Sequence, residues 1–386
     1  MDTIVRQHTE EFEAPPAVIV TVPGICTLLG GYADACRGWS LVATDEATLS
    51  VAISLRDDQM VRLYNATLND RKRFNLSNVK FRKEDRWGNF PKGVIGVMVS
   101  EATTLAGMNI TVSGELLYAD NQMISTASAL ATTLAIDALF AQELSLTSTV
   151  RITYQANTVF NSERCRVSDL LAMINGAREQ LLYFDLQHMT FQQLPLPFGS
   201  VDGDIQAIII DSKISPAAMR EEIEYKREEI DEAFAALSAQ KGGAFLRDFS
   251  ESDMSDRSLR LDEDQRQICS YILGETRMIR DAAKLFSERG ASQLGKMLTN
   301  VQHGLRDRLE VTCPEVDWLT KRAGETPGVY GAVQVDNGFA GNILVLLSKD
   351  ALSSYIERLE EYEHIFGFRP RWYLLSGSDA AKVVLR

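Results

Sequence analysis

Short runs that are apolar, or that alternate apolar and polar residues, recur along the chain and predict β-strands. The run AVIVTV is apolar and without charge, whereas TLSVAISL alternates. The strands predicted in this way cover residues 17–22, 48–55, 60–64, 181–186, 206–212, 341–348 and 372–375.

Longer segments carry apolar residues at the three- and four-residue spacing of helices. ISPAAMREEIEYKREEIDEAFAALSAQ predicts a helix with Ser215 as N-cap and Pro216 in its first turn. A second helix is predicted over 124–144, with Ser125 or Thr126 as its N-cap. Further helices are predicted over 263–289, 291–309, 315–323 and 350–362. Because strands and helices interleave without regular βαβ spacing, the predicted fold class is α+β rather than doubly wound.

The composition indicates a globular protein of two domains. The chain has 386 residues, 45% apolar and 24% charged, which is enough for a core in each domain. A proline- and glycine-rich segment over 195–204 is the predicted linker. The predicted domains therefore cover 1–198 and 205–386, with the last strand free to return to the first domain. The net charge of -13 argues against nucleic acid or an anionic membrane as a partner.

No feature of the sequence predicts export, a membrane span or a metal site. The first residues are polar and acidic, unlike a signal peptide, and no apolar run approaches the ~20 residues of a membrane span. The five cysteines are scattered and form no C-x-x-C pair, which suits reduced thiols in a cytoplasm. The four histidines are dispersed, so no metal ligand set is predicted.

The segment PGICTLLGGYADACRGW follows the first predicted strand and has the form of a ligand-binding turn. When a strand is followed by Pro-Gly and then by a glycine-rich turn, the backbone groups of the turn usually contact a ligand. The only charge in this segment before Arg37 is Asp34, so no basic side chain is available to meet a phosphate. The chain keeps the proline and glycines that shape a binding loop, but it lacks most of the charged side chains that would bind a ligand.

Six segments, in order along nearly the whole chain, resemble the galactokinase branch of the GHMP small-molecule kinases. QHGLRDRLEVTCPEVDWL is the most specific match, being close to the family's S-H-x-S-L-R-D-x-x-x-V-S-C-P-E-L-D-x-L. The others are PGICTLLGGYADACRG, RWGNFPKGVIG, SERCRVSDLLAMINGAREQLLYFD, DSKISPAAMREEIEYKREE and TPGVYGAVQVDNGFAGNILVLL. The resemblance implies a ribosomal-protein-like N-terminal domain, a ferredoxin-like C-terminal domain, and a cleft between them where Mg-ATP phosphorylates a sugar.

The first motif departs from the family where it meets the reacting groups. The resemblance places the family's phosphoryl-stabilising Arg on Ile25, which has neither charge nor donor. The family's sugar-binding Glu and His fall on Gly31 and Tyr32, whereas its sugar-binding Asp is kept as Asp34. Loss of one electrostatic contact to a transferring group lowers the rate by about 100- to 1000-fold. Tyr32 and Asp34 are therefore the candidate sugar contacts of this segment.

The phosphate loop departs further. The family's P-x-G-x-G-L-S-S-S-A corresponds to residues 119–128, with Asn121 and Met123 in place of the two glycines. Glycines let backbone N–H groups close on phosphates at a helix N-terminus, and Met123 adopts such a backbone poorly. Asp120 adds a charge of the same sign as the phosphates. Ser125 and Thr126 keep hydroxyls that serve either a nucleotide or a helix cap.

Three more positions complete the site that the resemblance implies. Gly338 is kept from the family's T-G-A-G-F-G-G-C and serves either the nucleotide or a tight turn. Asp169 matches the Asp of C-G-I-M-D-Q, the base or electrostatic partner of the sugar hydroxyl. Arg166 could pair with Asp169 if the segment is helical, which would make the carboxylate a weaker base. Tyr225 matches the sugar-contacting Tyr of S-x-Y-N-x-R-R.

Two functions stay open. In the first, the chain is a galactokinase-like protein with lost or strongly weakened sugar phosphorylation, acting as a sugar-binding protein or as a regulator of an unidentified protein partner. In the second, it is an active ATP-dependent sugar 1-kinase with a rebuilt phosphate site, using Mg-ATP. The losses concentrate where the family touches phosphate, while frame glycines persist, and this pattern favours the first.

Overall fold

The computed structural model describes residues 2–116, 121–199, 203–282, 286–335, 338–339 and 341–385. Its helices are α1 (Asp2–Phe12), α2 (Ala33–Cys36), α3 (Asn89–Ser100), α4 (Asn121–Phe140), α5 (Leu146–Gln155), α6 (Val167–Asn175), α7 (Arg220–Lys241), α8 (Glu251–Ser255), α9 (Glu263–Ala282), α10 (Phe286–Asp307), α11 (Pro314–Gly324) and α12 (Ala351–Phe366). Its strands are β1 (Val18–Leu29), β2 (Trp39–Leu55), β3 (Met60–Asn65), β4 (Asp70–Asn75), β5 (Met108–Gly114), β6 (Gln180–Asp185), β7 (Thr190–Pro195), β8 (Ile205–Asp211), β9 (Val329–Gln334), β10 (Asn342–Ser348), β11 (Arg371–Leu374) and β12 (Lys382–Leu385). This irregular mixture is the α+β fold that the sequence predicts.

One compact unit, unit 1, comprises Met1–Ile25, Thr44–Ala177 and Ser378–Arg386. The strands of its sheet follow the order β12-β1-β2-β5-β3-β4, in which β3 runs parallel to β5. Helix α1 is tied to this sheet by buried His8, whose two ring nitrogens lie 2.8 Å from Thr111 Oγ1 and 2.9 Å from Ser54 Oγ.

The second compact unit, unit 2, comprises Cys26–Ala43 and Arg178–Gly377. Its four-stranded antiparallel sheet has the order β11-β8-β10-β9. Helices α11 and α12 cover this sheet, and Val316, Leu319 and Tyr355 pack against alternate residues of β8 and β10 to form a buried core. The hairpin β6–β7 also belongs to unit 2, where β6 pairs with residues 39–43 of β2.

The division between the units differs from the predicted linker over 195–204. The chain leaves unit 1 after Ala177, because β6 and β7 are hydrogen-bonded to a segment of unit 2. The last strand, β12, lies in unit 1 and pairs with residues 19–21 of β1. A proline- and glycine-rich composition marks where the chain turns, but pairing between distant strands decides which unit a segment joins.

All seven predicted strands are present, and three of them are longer than predicted, β1 and β2 by six residues or more. The prediction that β1 gives way to a turn at Pro23 is wrong, since the strand continues to Leu29 and the turn begins at Gly30. Pro23 is compatible with a strand here because the pairing of β1 with β12 ends at Thr21, so no ladder bond on that side requires its missing N–H. The predicted helix break at 290 is also wrong, since residue 290 lies within α10.

Helix α4 corrects one expectation about membranes. Residues Gln122–Phe140 are long and apolar enough, by length and composition, to cross a membrane. However, 67% of this window is buried inside the protein, as expected for the core helix of a globular unit.

Candidate functional site

Ile25 lies in β1 and is completely buried, with 0% of its surface exposed. A side chain in this position packs in the core. The strand ends four residues later at Leu29, and the turn begins at Gly30. Gly30 has a φ of 85°, and a Cβ at this position would lie 2.6 Å from the Trp39 carbonyl oxygen. Gly30 is therefore required by the backbone itself.

The two candidate sugar contacts of the first motif follow this turn. Tyr32 precedes the short helix α2, and Asp34 lies in the first turn of that helix; both side chains are partly exposed. Gly338, in the same unit, has a φ of 92°, and a Cβ there would lie 3.3 Å from the Tyr32 hydroxyl and 3.1 Å from Val311 Cβ. The structure thus brings Tyr32 and Gly338 together and gives Gly338 a structural reason to be glycine.

Asp169 is buried in the first turn of α6, with 1% of its surface exposed. The Arg166 guanidinium donates from Nε to Asp169 Oδ2 at 3.0 Å, so the predicted pair is confirmed. Gln122, at the start of α4, places its Nε2 atom 3.5 Å from the same oxygen. Asp169 therefore lies in a buried polar cluster that includes Arg166 and Gln122.

The start of α4 differs from a phosphate loop and from the predicted caps. The helix begins at Asn121, so Ser125 and Thr126 lie inside it, and the prediction that one of them is the N-cap is wrong. Both are fully buried: Ser125 Oγ donates to the Gln122 carbonyl at 2.9 Å, and Thr126 Oγ1 lies 3.8 Å from Cys165 Sγ. Because a hydroxyl can bond to the preceding helical turn, these residues do not need a helix end.

The other predicted site residues have different surroundings. Met123 is buried, with 5% of its surface exposed, whereas Tyr225 on α7 is 63% exposed. Asp34 and Tyr225 lie in unit 2, whereas Asp169 and the α4 residues lie in unit 1. The predicted contributions of Asp120 and of the Asn121 side chain fall outside the described residues.

Sequence reasoning missed Glu275, which contacts the first motif from α9. The apolar face of α9 includes Ile268, Ile272 and Ile279, and Glu275 lies on that same buried face. Its Oε1 atom accepts a hydrogen bond from the Gly30 N–H at 3.1 Å. The signal in the sequence was a carboxylate, Glu275, within the apolar stripe of a helix. That signal does not identify Gly30 as the group that the carboxylate contacts.

Comparison with known proteins places the chain in context. No protein-family model matches it. A Treponema pallidum protein provisionally named a galactokinase is 28% identical, and the alignment covers 100% of this chain and 97% of that protein. A Roseiflexus galactokinase is 25% identical, with 98% and 96% covered.

Two solved structures are similar over nearly the full chain. Lactococcus lactis galactokinase complexed with galactose has a TM-score of 0.91 at 21% identity and covers 99% of both chains. Methanococcus jannaschii mevalonate kinase has a TM-score of 0.63 at 13% identity, with 94% of this chain and 98% of that chain covered. The fold is thus that of the GHMP small-molecule kinases. The sequence relatives are galactokinases by name, so the predicted resemblance to the galactokinase branch is confirmed.

Proposed function

We propose that this galactokinase homologue keeps part of a sugar site and transfers phosphate from Mg-ATP only at a trace rate, acting as a sugar-binding or regulatory protein. The observation that carries the proposal is the complete burial of Ile25 at the position that corresponds to the family's phosphoryl-stabilising Arg. A buried aliphatic side chain supplies no charge to a transition state that spreads negative charge over phosphoryl oxygens.

The described residues at the start of α4 fit a triphosphate poorly. Met123 is apolar and buried, and the hydroxyls of Ser125 and Thr126 already have partners within the protein. The backbone of residues 121–126 is helical, so its N–H groups from Ser125 onward lie within the ladder and not on a ligand. Each feature weakens the binding of Mg-ATP by the chain.

For the sugar, we propose weak binding of a hexose such as galactose, the ligand in the Lactococcus lactis structure. Tyr32, Asp34 and Tyr225, all in unit 2, supply the polar groups of the proposed site. Two hydrogen-bonding side chains of the family are absent, and each loss of a charged partner removes up to about 1.5–3 kcal/mol of binding free energy. A millimolar dissociation constant is the expected result of calorimetry with galactose.

We also propose that the protein acts in the cytoplasm. The five cysteines of the described residues form no disulfide, and four of them are buried, which is the usage typical of a reducing compartment. If the chain is regulatory, it acts on a protein partner, for which a galactose-responsive interaction is the expected form.

Thermal denaturation with and without millimolar Mg-ATP tests the nucleotide part of the proposal. A ligand at ~100 times its dissociation constant adds ~2.7 kcal/mol to stability, a shift of several degrees. We expect no such shift, and no ADP release that depends on galactose. A clear shift, with galactose-dependent ADP release that Asp169→Ala abolishes and the exposed-residue control Asp264→Ala retains, would overturn the proposal.

A second candidate, an active sugar kinase, is favoured by the Arg166–Asp169 pair. Arg166 brings a cation beside the retained carboxylate in a buried setting, where it could neutralise the charge that Ile25 cannot. In that reaction the sugar hydroxyl oxygen attacks the γ-phosphorus, the bond to ADP breaks, and Asp169 takes the hydroxyl proton. Under this candidate Arg166→Gln lowers kcat by about 100-fold or more, whereas an inactive wild-type chain rules it out.

A further inference from the structure

A buried carboxylate holds the glycine turn of the first motif from a distant helix. Glu275 is 7% exposed, and its Oε1 atom accepts from the Gly30 N–H at 3.1 Å. Tyr271, one helical turn earlier on the same face of α9, also interacts with this carboxylate, and its hydroxyl donates to the Val301 carbonyl at 3.5 Å. Among the described residues, no Lys, Arg or His forms an ion pair with Glu275.

Burying such a carboxylate costs folding free energy. Burial raises the pKa of Glu275, and the hydrogen bonds from Tyr271 and Gly30 only partly oppose that effect. Without a cation nearby, an apolar or amide side chain would be accommodated more easily in the same space. Ionisable groups kept in this way cluster at functional sites, because they hold a specific geometry.

Helix α9 makes further contacts with the segment that begins at Gly30. Thr276 Oγ1 lies 3.2 Å from Cys36 Sγ, and a Cβ on Gly38 would lie 2.6 Å from the same hydroxyl oxygen. Burial raises the pKa of the Cys36 thiol to about 11, so this thiol stays neutral and acts as a packing group. Neighbouring residues of α9 therefore contact both ends of the segment from Gly30 to Gly38.

This segment is the one that has lost its own polar side chains. The positions that correspond to the family's Glu and His carry Gly31 and Tyr32. A turn with two consecutive glycines, Gly30 and Gly31, needs an external support to hold one conformation, since glycine adds backbone freedom. The described contacts supply that support from α9.

We propose that Glu275 is a positioning residue of the sugar-binding turn, fixing Gly30 through its carboxylate so that Tyr32 and Asp34 are held where they meet a hexose. The inference rests on the proposed sugar site. It assigns Glu275 no direct contact with the sugar and no role in phosphate transfer.

The test compares Glu275→Ala and Glu275→Gln with Ile279→Val, a conservative truncation on the same buried face one turn away. Hydrogen–deuterium exchange of a peptide covering 29–36 reports on the turn directly. Ligand-observed NMR titration with galactose measures how tightly the chain binds the sugar. We expect at least tenfold faster exchange and at least tenfold weaker binding in Glu275→Ala, both largely rescued in Glu275→Gln, whose amide oxygen can still accept from Gly30.

The two readouts separate the two possible failures. Unchanged exchange and unchanged galactose binding in Glu275→Ala overturn the positioning role. The same holds if Ile279→Val produces changes of equal size, because general destabilisation then explains them. If the wild-type chain binds no galactose while Glu275→Ala still loosens the turn, the proposed sugar site fails and the positioning of Gly30 stands.

Discussion

Placing the family's arginine at position 25 by Ile25→Arg is the sharpest test of the proposed cause of weak phosphotransfer. If only that side chain were missing, the substitution would restore activity. Ile25 is 0% exposed in β1, however, so the new guanidinium would enter a packed core. We expect a folding defect and no gain of activity.

The magnitude follows from two losses. Removing the buried isoleucine side chain forfeits about 1.5–3 kcal/mol of apolar burial. An uncompensated buried charge adds about 3–5 kcal/mol, the cost measured when one partner of a buried ion pair is removed. The total of about 5–8 kcal/mol is comparable with the whole stability of many domains, which is about 5–15 kcal/mol.

The assay combines melting followed by circular dichroism with a coupled measurement of ADP release in the presence of galactose. Ile25→Val is the matched control and is expected to lose only about 0.5–1.5 kcal/mol. If Ile25→Arg melts within a few degrees of the wild type and releases ADP in response to galactose, then position 25 reaches the reacting groups. The core assignment would then be refuted, and the loss of phosphotransfer would be attributed to this one side chain.

Three further predictions concern packing and pH. Burial lowers the pKa of His8 to about 4 from an ordinary 6.5, so the unfolded chain binds the proton more readily than the folded chain. In urea titrations the wild type should therefore lose about 3 kcal/mol more stability than His8→Gln as the pH falls from 6.5 to 4. Parallel pH profiles of the two proteins would contradict this. A Cβ on Gly304 would overlap the Tyr271 ring, so Gly304→Ala should lower stability by about 1–3 kcal/mol, and Tyr271→Leu should relieve the clash in the double variant. Arg247 donates to Asp185 at 2.6 Å, and its guanidinium stacks 3.6 Å from the Trp39 ring centroid. Both Arg247→Ala and Arg247→Lys should therefore lower stability, by about 3 kcal/mol for the alanine variant. A lysine variant as stable as the wild type would show that neither the fork geometry nor the stacking matters.

Local pattern identified seven of the twelve strands of the described residues, and most of the long helices. The run over 206–212 became β8 within one residue of its predicted bounds, because period and apolar content reflect burial on a sheet. Helix starts were less predictable. Ser125 and Thr126 look like caps in sequence, but a hydroxyl inside a helix can bond to the preceding turn, and only the packing of α4 reveals that choice.

The candidate site was predictable in part. Arg166 and Asp169 are three residues apart on one helical turn, so their pairing follows from local spacing alone. Asp34 and Tyr225 were found through the resemblance, and their joint contact with a sugar stays a prediction. The boundary between the units was not predictable, since it depends on β6 pairing with residues 39–43.

The sequence by itself determined the α+β class, many of the strands and helices, and the family that the chain resembles. Only the tertiary structure decided that Ile25 is a core residue and that a carboxylate supports the glycine turn. Glu275 and Gly30 are 245 residues apart, and no local rule relates two positions at that separation. Their contact exists because the folded chain buries α9 against the turn, and burial makes each polar group there find a partner.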